Sequence, residues 1–175
     1  MQKIILAANF AANKHRDQRR KDREASPYIN HPLALAFVLT NEVTGIVEED
    51  VIAAAILHDT IEDTDTSTAE ISDLFGGAIL RIVLELSDDK SLPKATRKQL
   101  QIDNASMLSR EAKLVKLADK ICNLRDMANS PPFDWTLQRQ QEYFDWANAV
   151  VDGLRGTHDQ LEKLFDEAYG LKPKK

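Results

Sequence analysis

The chain has one cysteine, Cys122, in 175 residues. That excludes an internal disulfide and a cysteine-only zinc site, and a reducing cytoplasm is the expected compartment. It is also poor in glycine and proline, with six of each, which argues against collagen, linkers and low-complexity tracts. No apolar run approaches the roughly 18 residues that a bilayer span requires. The apolar opening Met1–Ala8 is interrupted at Asn9 and followed by charge from Lys14, with no small-residue cleavage site, so a cleaved signal is not expected. Positive charge is outweighed: 23 Lys and Arg against 28 Asp and Glu give −5. Nucleic acid and anionic membrane reward a basic surface, so neither is an expected partner.

The chain is 43% hydrophobic and 29% charged, the balance of a globular protein long enough for a real core. One domain over 1–175 is expected. Helical periodicity dominates and no run of alternating β-branched residues stands out, so the fold class is all-α with eight to nine helices. Ile4, Ile5, Ala8, Ala11 and Ala12 form the stripe of a first helix. A charged connection runs from Lys14 to Asn30. His31-Pro32 opens a second helix, ending near Gly45, with the proline where a missing N–H does no harm. Residues 48–61 read as a buried helix, because Val51 to Leu57 are all apolar. Ser67 and Glu70 have capping-box spacing for a short helix ending at Gly76-Gly77. Further helices are expected at about 78–87, 95–105, 110–127, 134–152 and 158–169.

The buried segment breaks its own pattern with His58-Asp59 and then Glu62-Asp63. One turn separates His58 from Glu62 and Asp59 from Asp63. An imidazole and three carboxylates at the end of a buried helix are costly unless compensated, and a divalent cation compensates them. His31 starts a helix, and Asp119 interrupts the apolar stripe of Leu114, Val115, Leu117, Ala118 and Ile121. The expected ligand set is therefore His31, His58, Asp59 and Asp119. This mixed N/O set suits Mn²⁺, Fe²⁺ or Zn²⁺ better than a thiolate-loving metal, and Mg²⁺ less because it prefers oxygen ligands. A lone His-Asp pair on a helix is usually a capped or salt-bridged end; the whole set within apolar stripes carries the metal reading.

The pattern His31 … His58-Asp59 … Asp119 resembles the HD superfamily of metal-dependent phosphohydrolases. More narrowly, Tyr28-Ile29-Asn30-His31-Pro32, the block from Ala55 to Thr64, and the block from Lys116 to Arg125 resemble the hydrolase domain of the RelA/SpoT family. Ala7-Ala8-Asn9-Phe10-Ala11-Ala12 and Gln141-Glu142-Tyr143-Phe144 resemble its small, hydrolase-only members. The resemblance implies a helical HD bundle that hydrolyses the 3′-pyrophosphate of ppGpp or pppGpp to GDP or GTP, with Mn²⁺ as the usual metal. It implies that Glu62 and Asp63 handle the attacking water, that Arg20 packs on the guanine, and that Asn123 lies near the ribose. Tyr143 matches a tyrosine of the small members' pocket.

Two basic clusters stand out in this acidic chain: 14–23, with Arg20 and Lys21, and Lys90, Lys94, Arg97 and Lys98. They could focus an anionic substrate, although exposed lysines and arginines are usually just solvated. The expected substrate contacts are Arg20, Lys21, Asn123, Lys94, Arg139 and Tyr143. Another nucleotide such as NADPH, and a non-catalytic nucleotide-sensing module, are the alternatives weighed. Cys122, Trp135 and Trp146 read as packing residues, His15 and His158 as exposed or structural, and the tail Lys172–Lys175 as frayed.

Overall fold

The computed structural model describes residues 1–46 and 48–174. It is all-α among the described residues, where the only β-type pairing is an isolated bridge between Arg19 and Pro27. The chain forms α1 (Gln2–Lys14), α2 (Asn30–Phe37), α3 (Glu49–Leu57), α4 (Thr60–Asp63), α5 (Thr68–Phe75), α6 (Gly77–Leu86), α7 (Lys94–Asn104), α8 (Arg110–Asn129), α9 (Leu137–Asp152) and α10 (Asp159–Tyr169). No helix among the described residues is long and apolar enough to cross a membrane.

The apolar run from Val51 to Leu57 makes α3 the axis of the molecule, buried at every one of those residues. Helices α1, α2, α6 and α8 surround it, while α8 also packs on α9 and α10. An all-round apolar helix has nowhere else to go. The 20-residue α8 buries Leu114, Leu117, Ile121 and Leu124 completely.

Several expectations are corrected in detail. The segment 48–61 is not one helix: it breaks at His58-Asp59, where Asp59 has φ −96° and ψ −4°, before the single turn of α4. In the first helix the inward stripe is Ile4, Ala7, Ala8 and Ala11, while Ile5 points to solvent. A stripe two or three residues wide leaves that one-position ambiguity until the partner helix is known. The second helix turns π-helical over Val38–Glu42, which brings Glu42 against Arg125 of α8 in a two-bonded pair at 2.8 and 2.9 Å. Trp135 precedes α9, whose first turn is capped by Thr136 Oγ1 accepting from Arg139 N–H. The tail is docked through residue 173: Gln141 donates to Pro173 O at 2.9 Å and Lys172 pairs with Asp145. Lys175 lies outside the described residues.

The predicted capping box forms: Ser67 Oγ accepts from Glu70 N–H, and Glu70 Oε2 accepts from Ser67 N–H at 2.8 Å. His158 caps α10 through Nδ1 while its Nε2–H donates to Thr44 O. Gly153 is required by proximity. A Cβ there would sit 2.7 Å from Ala105 Cβ, in the 3₁₀ turn Ala105–Met107.

Candidate active site

The break after α3 aims the chemistry. His58 Nδ1 lies 2.8 Å from Ala55 O. A carbonyl only accepts, so Nδ1 carries the proton and Nε2 is turned outward. Thr60 Oγ1–H donates back to Leu57 O at 2.7 Å, closing the corner. His31, the second residue of α2, is buried beside it, with ring centroids 5.4 Å apart. Asp119 comes from the middle of α8, and its Oδ1 lies 3.2 Å from His31 Nε2. One ligand atom each from His31, His58 and Asp119 falls within a mutual 4.8 Å, a spacing that can hold a metal ion. Three helices, separated by 27 and 61 positions in sequence, thus converge on one point. Asp59 is not part of that mutual cluster. Its Oδ2 touches it through His58 Nε2 at 2.9 Å.

The electrostatics is that of charges held out of water together. Burial alone would lower His58, but the adjoining Asp59 carboxylate outweighs it and raises the imidazole to about 9. Burial would raise Asp59, and the His58 charge instead holds it below the usual carboxylate range. Asp119 is likewise held well below that range, mainly because Lys120 overcomes its burial. Burial lowers His31.

Tyr28 is a site residue that pattern reading missed. Its hydroxyl donates to Asp59 Oδ2 at 2.6 Å and lies 3.4 Å from Asp63 Oδ2. Burial and then the Asp59 charge push its pKa upward, so it stays a donor. His15, also buried, packs its ring 4.8 Å from that of Tyr28, which makes its role structural. The signal for Tyr28 was present only as its place in the motif before His31.

Glu62 and Asp63 point in different directions. Asp63 faces the cavity described below and is paired with Lys90. Glu62 Oε2 accepts from Asp88 N–H at 3.0 Å, and its other oxygen stands 3.6 Å from Arg97. Burial raises the Glu62 pKa above its ordinary value. Two members of the second basic cluster are therefore partners of the acidic pair.

Beside the metal cluster opens a cavity of about 410 Å³, within the range of small-molecule sites. Arg20, Lys21, Lys94, Asn123 and Tyr143 all line it. Arg139 does not; it lies over the ring of Trp135, 4.2 Å away, and Trp135 is on the wall. Asn123 Nδ2 donates to Asp119 Oδ1 at 2.6 Å, so it belongs to the metal cluster as well as the cavity. Arg20 is anchored on Asp126 at 2.6 Å. Tyr143 sits between Trp135 and Trp146, with ring centroids at 5.6 and 5.3 Å. Cys122, inside α8, is buried, and burial pushes its thiol up to about 12, which makes it inert packing. Lys116 and Lys120, buried one turn apart on the same helix, were also missed; two lysines within an apolar stripe were the available clue.

The chain is similar to known proteins along most of its length. The HD domain family model matches residues 7–145. The guanosine-3′,5′-bis(diphosphate) 3′-pyrophosphohydrolases MESH1 of Xenopus tropicalis and Homo sapiens are each 54% identical over 166 residues, covering 95% of this chain and 92% of theirs. A solved structure described as a metazoan ortholog of SpoT that hydrolyses ppGpp superposes with TM-score 0.92 and 46% identity. That match covers 97% of this chain and 95% of that one. A buried His/His/Asp cluster at a helix break, joined to sequence likeness along nearly the whole chain, leads to one assignment: this chain belongs to the HD-domain family, in the RelA/SpoT-type branch that contains those metazoan proteins.

Proposed function

We propose that this chain is a metal-dependent hydrolase that removes the 3′-pyrophosphate of ppGpp or pppGpp, leaving GDP or GTP, and that residues 1–175 work as one HD phosphohydrolase domain. The observation that carries the reading is the convergence of His31, His58 and Asp119 within 4.8 Å, on the flank of a cavity lined by Arg20, Lys21 and Lys94. The donor set fits a divalent ion: the Nδ1–H bond to Ala55 O turns His58 Nε2 towards His31 and Asp119, with Asp59 Oδ2 adjoining it at 2.9 Å. His31, His58, Asp59 and Asp119 would hold the ion, with Mn²⁺ the assignment and Fe²⁺ or Zn²⁺ compatible with the same N/O ligands. When bound, such an ion polarises the phosphate and makes water a nucleophile near neutral pH.

The chain supplies the rest. Asp63 faces the cavity and Glu62 stands one turn beyond His58; together they orient the water and take its proton. Glu62 is suited to the second task, because partial burial raises its basicity while Asp88 N–H and Arg97 hold it in place. Arg20 presents a flat cation at the wall for the guanine, and Asn123 a side-chain amide for the ribose. Lys21 and Lys94 meet the phosphates, Tyr143 closes the wall, and Arg139 lends charge from over Trp135. A cytoplasmic setting matches the single buried cysteine.

The test is incubation with ppGpp with and without Mn²⁺, with products identified, and with NADPH and deoxynucleoside triphosphates in parallel. GDP and pyrophosphate formed only with the metal, and stopped by Asp59→Ala, is the expected result. Unchanged turnover after chelation would remove the metal from the mechanism. Binding of ppGpp with no product in Mn²⁺ would make the chain a sensor.

A further inference from the structure

Gln101 lies on α7, away from the metal cluster and off the wall of the 410 Å³ cavity. Its amide nevertheless joins both halves of the chemistry. Nε2 donates to both carboxylate oxygens of Asp88, at 3.0 and 2.9 Å, and Oε1 accepts from Lys120 Nζ at 3.1 Å. Only this orientation satisfies both sides, since an ammonium only donates and a carboxylate only accepts. On one side, Lys120 Nζ lies 3.2 Å from Asp119 Oδ2 and 4.2 Å above the Trp146 ring. On the other, the Asp88 backbone N–H holds Glu62 Oε2, and Arg97 stands 3.6 Å from Glu62 and 3.9 Å from Asp88. Two carboxylates on α8 and α4 are thus tied through a single neutral side chain on α7.

We infer that Gln101 is a positioning residue for the hydrolysis: it sets Asp119 through Lys120 and Glu62 through Asp88. The inference rests on the function proposed above. Without the amide, the Asp88 carboxylate loses the one nitrogen that donates to both its oxygens and is free to swing onto Arg97, while Lys120 loses its oxygen partner and is free to leave Asp119. Either movement draws a cation away from Asp119 or Glu62. Gln101→Glu separates the two arms: it keeps an oxygen for Lys120 and removes the nitrogen that donates to Asp88.

The experiment uses the full chain. Mn²⁺ affinity is measured calorimetrically, and ppGpp turnover at saturating Mn²⁺, for wild type, Gln101→Ala, Gln101→Glu, Glu62→Gln and the Glu62→Gln/Gln101→Ala pair. Gln101→Ala should lower kcat by about tenfold with KM within about twofold, and weaken Mn²⁺ by about three- to tenfold. Gln101→Glu should lose kcat equally but keep wild-type Mn²⁺ affinity, and it serves alone where the alanine variant does not fold. In the Glu62→Gln background, adding Gln101→Ala should change kcat by less than about twofold, because both act on one group. A full multiplicative loss in that pair, a change in KM alone, or normal kcat in Gln101→Glu overturns the inference. A wild type that binds Mn²⁺ but leaves ppGpp intact refutes the proposed function instead. Gln101 is then judged on Mn²⁺ alone, and an unaltered affinity in Gln101→Ala overturns it.

Discussion

Removing one oxygen from Tyr28 tests how the site holds its metal. Tyr28→Phe keeps the ring, and with it the packing against His15 at 4.8 Å, but deletes the hydroxyl that donates to Asp59 Oδ2 at 2.6 Å. That bond is short and charge-assisted, a kind that contributes about 1.5–3 kcal/mol. At 1.4 kcal/mol per decade, this is roughly a 10- to 150-fold change. Loss of a group that orients a ligand ordinarily costs about 10–100-fold in metal affinity, and the two ranges agree. Asp59 is left with His58 Nε2 at 2.9 Å as its remaining partner near the cluster. Water entering the vacated space recovers some of the loss, so about tenfold weaker Mn²⁺ binding is expected by calorimetric titration. Turnover should return towards the wild-type rate when Mn²⁺ is raised, because the acidic pair is still in place. A Mn²⁺ dissociation constant within about twofold of wild type refutes the idea that Tyr28 steers Asp59.

Two further outcomes follow from the geometry. Glu62→Gln should bind Mn²⁺ as wild type does but turn over slowly. In the wild type the rate should rise with pH through a carboxylate pKa above the ordinary range, since burial raises Glu62 and only its deprotonated form accepts a proton. A pH–rate profile whose acid limb survives in Glu62→Gln assigns that limb to another group. Gly153→Ala forces a methyl to 2.7 Å from Ala105 Cβ, with Ser106 N at 3.2 Å behind it. Overpacking of this kind costs about 1–3 kcal/mol, a fall in Tm of several degrees for a chain of this size, and an unchanged melt would show that α9 has room to shift.

Much of this was legible because burial and charge conflict openly in the sequence. His58-Asp59 follows seven apolar residues, so its presence inside the core needed no structure to suspect. The capping box at Ser67 and Glu70 was equally readable, being decided within four residues. What escaped depends on partners far along the chain. Ile5 faces solvent because α3 meets α1 on the Ala7–Ala11 side. Glu62 turns towards Arg97 and the Asp88 amide, which belong to later segments 35 and 26 positions away. Helical spacing set Glu62 one turn after His58 in a continuous helix; the chain breaks between them, and the Glu62 carboxylate looks to Asp88 and Arg97 instead. Arg139 was expected at the substrate and lies over the ring of Trp135, a residue of the cavity wall, without lining the cavity itself.

Helix α8 carries Asp119, Asn123 and Asp126 along one side, while Leu117, Ile121 and Leu124 fill the core from the others. The residues proposed to hold the metal and the ribose, and the anchor of Arg20, are therefore graduations on one ruler about 30 Å long. Adding a residue between Leu117 and Asp119 would swing everything beyond it by roughly 100° and exchange the wet edge for the greasy one. Loops elsewhere can lengthen or shorten; this rod has a single permissible phase.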